Sequence, residues 1–283
     1  MDGRTLPEWE LPGRQRQILE ILAVNAGTPV SKDRLAELMW EGDLPGSYTG
    51  TLESYVCLLR RVLGLTGARR SALVTLDGGY CLGREVQVDV QEFDALVRES
   101  QTAGCADSVR LALQALDLVT GPMLASEPYA EWAERARERF VLALTAACEA
   151  AAGRANALRL YNDAVRLATS AVQADPLCEA AWQHLVRAHW LAGRRGEAMR
   201  TYERLRTTLA EELDEPPSSS SRELYLAVLR SGTDDHQAPA DPGELQTLLR
   251  LLRQALETVP GLTVPARDAA LSETAARLIA GHA

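Results

Sequence analysis

The sequence predicts a mainly α-helical fold that contains a β-hairpin in its N-terminal third. Between residues 13 and 64, three segments repeat apolar side chains at helical spacing, and two short β-prone runs around a glycine turn follow them. From residue 89 to about residue 232 the chain is rich in Ala, Leu and Arg and is helical in pattern throughout.

The first two helices have recognisable ends. The segment PGRQRQILEILAVNAG predicts a helix with Ile18 on its apolar face and Gly27 after its end, because glycine suits a left-handed cap. The segment TPVSKDRLAELMW predicts the second helix. Ser31 is expected to cap it by accepting a hydrogen bond from an otherwise unpaired amide, and Val30 and Leu35 have the spacing of a hydrophobic staple.

The segment GSYTGTLESYVCLLRRVLG predicts a third, longer helix with two different faces. Leu52, Val56 and Leu59 recur at the spacing that places them on one apolar side. The other side carries Ser47, Gly50, Ser54, Cys57 and Arg61, flanked by Glu53 and Arg60. Small polar groups therefore cluster at the start of this helix and two guanidinium groups lie near its end.

A β-hairpin is expected next, because ALVTLDGGYCLG places two β-prone runs around residues 77–79, Asp-Gly-Gly. The order helix, helix, helix, hairpin is typical of a winged helix-turn-helix, in which the third helix enters a DNA major groove. Residues 47–84 contain five arginines and two acidic residues, a net charge of +3, whereas residues 1–46 contain five basic and eight acidic residues, a net charge of -3. The net charge of the whole chain is -9, so any contact with nucleic acid is expected to be local, and an anionic membrane is not expected as a partner.

The rest of the chain is predicted to be helical, after a short alternating strand that starts at residue 86. Residues at the spacing of a 34-residue tetratricopeptide unit include Trp182, Leu185, Gly193, Ala198 and Tyr202, with Ala164 and Ala171 in the preceding unit. Such a stack of helices either binds a partner or serves only as a core. The predicted division is 1–88 for a winged-helix domain, 89–232 for a tetratricopeptide-like helical domain, 233–243 for a linker and 244–283 for a helical tail whose leucine stripe packs on the helical domain or on a partner.

Several classes of function lack support in the sequence. There is no apolar run long enough to cross a bilayer and no secretory leader, so a cytoplasmic location is expected. The five cysteines are widely spaced, which favours free thiols over disulfides or a metal site. Common enzyme motifs are missing, and His184 and His189 are expected to pack or cap. We therefore expect no catalytic residue, no metal ion and no cofactor.

An ordered set of segments resembles one family of regulators. VSKDRLAELMW, TLESYVCLLRRVLG, TLDGGYCLG, VDVQEFDALV, LVTGPMLASEPYAEWAERARERF, DPLCEAAW and LAEELDEPPSSSSRELYLAVLR occur in the order found in the Streptomyces antibiotic regulatory protein family. The resemblance covers residues 11–229. It implies a winged helix of the OmpR type, as in response regulators, joined to a bacterial transcriptional activation domain.

The resemblance also implies a function and partners. The protein would activate transcription of a secondary-metabolite gene cluster, binding direct repeats in promoter DNA as a homodimer and engaging RNA polymerase holoenzyme at the nucleoid. The residues expected to contact DNA lie on the third helix and the hairpin. They are Ser47, Tyr48, Thr49, Thr51, Ser54, Tyr55, Cys57, Leu58, Arg60, Arg61, Gly78, Gly79 and Tyr80.

The chain departs from the family pattern at three places. Family members usually have Gln at the position of Glu53 and Arg at the position of Leu58, and both changes reduce positive charge towards DNA. The β-strand segment with which family members begin is expected to be reduced or missing here. Two alternatives follow: an adaptor whose winged helix has lost DNA binding, and a regulator gated by a small molecule in its helical domain.

Overall fold

The computed structural model describes residue 11 and residues 13–65 and 72–234. Within them the helices are α1 (Gly13–Val24), α2 (Lys32–Trp40), α3 (Tyr48–Val62), α4 (Asp89–Thr102), α5 (Cys105–Asp117), α6 (Glu131–Ala157), α7 (Tyr161–Ala174), α8 (Glu179–Leu191), α9 (Arg195–Leu213) and α10 (Ser219–Asp234). The strands are β1 (Val30–Ser31), β2 (Leu73–Leu76) and β3 (Gly79–Leu82). The described residues up to Tyr225 form one compact unit. None of these helices is long and apolar enough to cross a membrane.

The predicted ends of α1 and α2 are confirmed. Gly27 adopts a positive φ of 85° just after α1. The Ser31 hydroxyl accepts a hydrogen bond of 3.1 Å from the backbone amide of Arg34, which caps α2. Val30 and Leu35 are both buried in the core on either side of this cap. Local features of the chain therefore mark where α1 ends and where α2 begins.

The three strands form an antiparallel sheet in the order β1-β3-β2. The hairpin of β2 and β3 is confirmed, and Gly78 in its turn has a positive φ of 85°. The pairing of Val30 with Tyr80 adds β1, which the sequence did not predict. The strand predicted from residue 86 was wrong: residues 86–88 form no strand, and Val86 and Val88 pack against the core of the winged helix without strand pairing.

One apolar core unites the three helices and the sheet. Its most buried side chains include Ile18 and Ile21 from α1, Leu35 from α2, and Leu52 from α3. Leu73 contributes from β2. The apolar face predicted for α3 is therefore buried against α1, α2 and the sheet, which leaves the opposite face of α3 towards solvent.

The helices from α4 to α9 pack mainly against their neighbours in sequence. Small residues at the contacts allow close approach, as at the fully buried Ala164, Ala168 and Ala171 on α7. Aromatic rings fill the wider spaces, and the rings of Tyr202 and Tyr225 stack with centroids 4.1 Å apart. This mainly helical fold with a small sheet agrees with the predicted fold class, while the tetratricopeptide assignment stays a prediction.

Some predictions fall on other parts of the chain. The expected loss of a first strand segment concerns residues 1–10, and the helical tail concerns residues 244–283, both outside the described residues. The linker prediction is partly covered, since α10 extends to Asp234 and so occupies the first two residues of the predicted linker.

Candidate nucleic-acid interface

The two faces of α3 differ sharply in exposure. Leu52, Val56 and Leu59 are at most 1% exposed and hold the helix against the core. The opposite face is open to solvent along the whole helix and includes Ser47, Thr49, Gly50, Ser54, Cys57 and Arg61. We call these six residues the outer face of α3. The helical spacing thus separates a packing side from a side that can meet a ligand.

Hydroxyl groups near the start of α3 already donate their protons to the helix. Ser54 Oγ donates to the Gly50 carbonyl at 2.9 Å, and Thr51 Oγ1 donates to the Ser47 carbonyl at 3.2 Å. A hydroxyl that donates within the helix keeps its lone pairs for accepting from outside. The exposed Ser54 hydroxyl is therefore set up as an acceptor, which suits the amino groups of adenine or cytosine in a major groove.

Two polar links tie α2 to the start of α3. The Tyr48 hydroxyl donates to Asp33 Oδ1 at 2.7 Å, and this hydrogen bond raises the pKa of Tyr48. Lys32 Nζ lies 2.6 Å from Glu53 Oε1, and this hydrogen bond raises the pKa of Lys32. The negative charge at Glu53, one of the departures from the family pattern, is thus balanced by the only lysine of the chain.

The two arginines near the end of α3 occupy different environments. Arg60 Nη2 donates to the Leu73 carbonyl and to Thr75 Oγ1, each at 2.7 Å, so this guanidinium joins α3 to β2. The Arg61 side chain is exposed and makes no hydrogen bond or ion pair with any described residue. Both arginines are predicted DNA contacts, and the structure shows that they differ: the Arg60 guanidinium is bonded to β2, whereas the Arg61 side chain is open to solvent.

Two of the expected contact residues on the hairpin are buried. Tyr80 is only 2% exposed, and burial raises the pKa of its phenol. Gly79 is buried against β1, so closely that a Cβ there would lie 2.3 Å from the Val30 carbonyl oxygen. This burial arises from β1, whose pairing covers the start of β3. Gly78 alone of the three remains exposed at the tip.

The remaining predicted residues on α3 lie at the edges of its outer face. Leu58 is 41% exposed, although it is apolar. Tyr55 is half-buried and packs against the winged-helix core. Sequence reasoning missed Thr75, Lys32 and Asp33, which position α3 from β2 and α2. Their only signal in the sequence was polarity next to a predicted helix or turn.

No cluster of three or more His, Cys, Asp or Glu residues suited to a metal ion occurs in the described part of the chain. His184 packs as expected, with Nε2 3.0 Å from Glu149 Oε1 and its ring against Gly153. His189 is half-buried, and burial lowers its pKa. The contacts and burial of both histidines are therefore those of packing residues.

A winged helix with an open outer face, followed by packed helices, is typical of one class of transcriptional regulators. Comparison with known families agrees: residues 7–82 match the C-terminal domain of transcriptional regulatory proteins, and residues 88–229 match the bacterial transcriptional activator domain. The chain belongs to the Streptomyces antibiotic regulatory protein family, whose members are transcriptional regulators and not enzymes.

Individual relatives support this membership. The chain is 32% identical to the regulatory protein DnrI of Streptomyces peucetius, over 81% of this chain and 85% of DnrI. It is 31% identical to the transcriptional regulatory protein MoaR1 of Mycobacterium tuberculosis, over 77% of this chain and 72% of MoaR1. The solved structure of Mycobacterium tuberculosis EmbR in complex with a low-affinity phosphopeptide matches 81% of this chain with a TM-score of 0.64 and 27% identity. The match covers 62% of that EmbR chain.

Proposed function

We propose that the protein is a sequence-specific DNA-binding activator that inserts α3 into the major groove. The observation that carries this proposal is the outer face of α3, which is exposed along its length while the opposite face is buried. A helix fixed in this way presents its N-terminal residues to base edges and its later residues to the backbone.

The residues of the outer face divide into two roles. Thr49 and Ser54, near the start of the helix, read base edges by accepting hydrogen bonds from base amino groups. Arg61, near the end, binds a phosphate, because its guanidinium is exposed and makes no bond within the described residues. Gly78 at the tip of the hairpin approaches the backbone closely. Tyr80 and Gly79 take no direct part in this proposal because both are buried.

The biological role follows from family membership and stays a proposal. The protein acts in the cytoplasm at the nucleoid, binds direct repeats in promoter DNA as a homodimer and recruits RNA polymerase holoenzyme to a secondary-metabolite gene cluster. The relation to DnrI and to the regulatory protein AfsR of Streptomyces griseus supports this assignment. In this proposal residues 1–88 bind DNA, residues 89–232 recruit polymerase, residues 233–243 connect, and residues 244–283 form the tail.

The test is a binding titration with labelled promoter fragments that flank the gene of this protein. We expect the full chain to bind one of them at least about 10³-fold more tightly than a scrambled duplex of equal length at the same salt concentration. Equal affinity for both duplexes would reject sequence-specific binding. Transcription reconstituted with RNA polymerase on the bound fragment then tests activation.

The matched variants are Ser54→Ala and Arg61→Ala. Ser54→Ala should reduce the preference for the promoter fragment while leaving the salt dependence of binding unchanged, because it removes a base contact. Arg61→Ala should weaken binding to both duplexes by similar factors, because it removes a phosphate contact. If the protein is instead an adaptor, neither duplex binds and neither variant changes the titration.

A further inference from the structure

A cavity of about 600 Å³ lies between α1, the start of α4, α6 and the segment of residues 118–126 that joins α5 to α6. Most of the residues that line it are apolar, among them Val24, Val88 and Met123. The half-buried Phe140 adds an aromatic ring, and the ring of Phe93, only 2% exposed, lies behind it with the two centroids 4.9 Å apart. Cavities that bind small molecules measure about 300–1,000 Å³ and are lined by such side chains, often where two domains meet.

The segment 118–126 is held over the cavity by specific bonds. Arg137 donates to the carbonyls of Met123 at 3.3 Å and Leu124 at 3.4 Å, and also to the carbonyl of Glu127. Leu124 has a positive φ of 54°, a conformation that costs energy for a residue with a side chain. The Ser126 hydroxyl donates to Glu20 Oε1 and so fastens the segment to α1. The cavity therefore has a constructed cover.

Glu20 brings a carboxylate to the wall of this cavity. Its Oε1 accepts from Ser126, but its Oε2 is buried and has no hydrogen-bond partner among the described residues. A buried carboxylate oxygen without a donor is costly. Burial, with a contribution from the charge of Glu20, also raises the pKa of nearby Glu127. The carboxylate of Glu20 is thus an acceptor that lacks one donor.

Arg16 and Asp89 are the other charged residues on the wall. Arg16 Nη2 donates to the Leu11 carbonyl at 3.3 Å, and Asp89 Oδ1 accepts from the backbone amide of Val90 at 2.7 Å. With Glu20, the wall carries two acidic groups and one basic group. A cationic occupant is favoured over an anionic one.

We infer that this cavity binds an apolar, ring-bearing small molecule that carries a protonated amine. The ring packs against Phe140, which Phe93 supports from behind, and the ammonium group donates to Glu20 after a rotation of the carboxylate exposes Oε2. Because α1 belongs to the winged helix and α4 and α6 to the helical part, an occupant contacts both. This inference stands apart from DNA binding, since its test measures only the bound small molecule.

The test uses three fluorescent probes that share one naphthalene ring and differ in charge. Dansylcadaverine carries an amine, dansylamide is neutral, and dansylglycine carries a carboxylate. We expect dansylcadaverine to saturate at one molecule per full chain. It should bind about ten-fold more tightly than dansylamide, because one charge-assisted hydrogen bond contributes about that difference in affinity. Dansylglycine should bind most weakly of the three.

Variants locate the bound probe. Glu20→Gln should weaken dansylcadaverine about ten-fold and leave dansylamide unchanged, whereas Ala23→Phe should abolish binding of every probe by filling the cavity. Glu138→Gln removes the same charge from an exposed position on α6, and Leu142→Ser removes a leucine that is 68% exposed. Neither control should change the affinity for dansylcadaverine.

Two outcomes would overturn the inference. One is equal affinity for all three probes with no effect of Glu20→Gln. The other is unchanged binding in a folded Ala23→Phe protein, with loss of binding in Leu142→Ser, which would place the probe on the outer surface. If Ala23→Phe does not fold, as judged by circular dichroism, Met123→Trp is used instead. This substitution in segment 118–126 also fills the cavity and should likewise abolish binding of every probe.

Discussion

Replacing Arg60 and Arg61 separately by alanine should give two different results, although the residues are adjacent on α3. The Arg61 side chain is exposed and has no hydrogen-bond or ion-pair partner among the described residues, so its proposed role is to bind a phosphate. Arg60 donates at 2.7 Å both to the Leu73 carbonyl and to Thr75 Oγ1, so its guanidinium holds β2 against α3. The first substitution should therefore affect DNA binding and the second should affect stability.

The expected magnitudes follow from these contacts. A lost phosphate contact lowers the slope of log K against log salt by about 0.9, which corresponds to a roughly five-fold loss of affinity at about 0.15 M salt. For Arg60→Ala, the loss of two charge-assisted hydrogen bonds at a partly exposed position should lower the free energy of unfolding by roughly 2 kcal/mol. This change corresponds to a fall in Tm of about 4–8 °C for a chain of this size.

Fluorescence anisotropy at several salt concentrations and thermal unfolding by circular dichroism measure the two effects. Arg187→Ala on α8 is the charge-matched control, because it removes an exposed arginine from the helical part. It should leave the slope of log K against log salt and the Tm unchanged. A reduction of that slope by 0.9 in Arg60→Ala, with none in Arg61→Ala, would refute the roles assigned to the two residues.

Three further substitutions have expected results. Leu58→Arg should raise DNA affinity and steepen the slope of log K against log salt by about 0.9. The Tm should change little, because the Leu58 side chain is already 41% exposed. A loss of several kcal/mol of stability would contradict this expectation. Gly79→Ala should lower the free energy of unfolding by about 1–3 kcal/mol, because the new Cβ would lie 2.3 Å from the Val30 carbonyl oxygen. Gly50→Ala is the control: a Cβ there meets open space, so it should not destabilise the protein in the same thermal unfolding experiment. Burial lowers the pKa of His189 below its ordinary value of 6.5, so the unfolded chain takes up a proton at a higher pH than the folded chain does. The free energy of unfolding should therefore fall as the pH drops below about 6.5. His189→Gln should remove that loss in denaturant titrations at several pH values.

Local patterns predicted the helices and their ends well. The spacing of Leu52, Val56 and Leu59 predicted the packing side of α3, and all three are buried. The caps at Ser31 and Gly27 depend on a few neighbouring residues, so the sequence contains all the information they need. The outer face of α3 was predictable for the same reason, because it lies opposite the side chains whose helical spacing places them in the core.

Features that depend on distant pairing were not predictable in this way. The two residues of β1 form a strand only because β3 lies beside them, and no two-residue pattern indicates this. Burial of Tyr80 and Gly79 follows from the same pairing. The role of Arg60 was missed because the spacing along a helix does not show that Thr75 of β2 lies within hydrogen-bonding distance.

The winged helix and the helical part meet at α4, where the boundary seen in the sequence does not act as a hinge. Val88, immediately before α4, and Val90 in its first turn pack with the core of the winged helix. Phe93 and Val97, one and two turns further along the same helix, belong to the core of the helical part. Gln91 Nε2 adds a hydrogen bond of 2.8 Å to the Ala26 carbonyl after α1. Because a single rigid helix supplies side chains to both cores, tilting one part against the other would uncover apolar surface in at least one core, at a cost of about 25 cal/mol for each Å² exposed. The change of pattern near residue 88 therefore predicts where one kind of structure gives way to another, while the packing around α4 holds the two together.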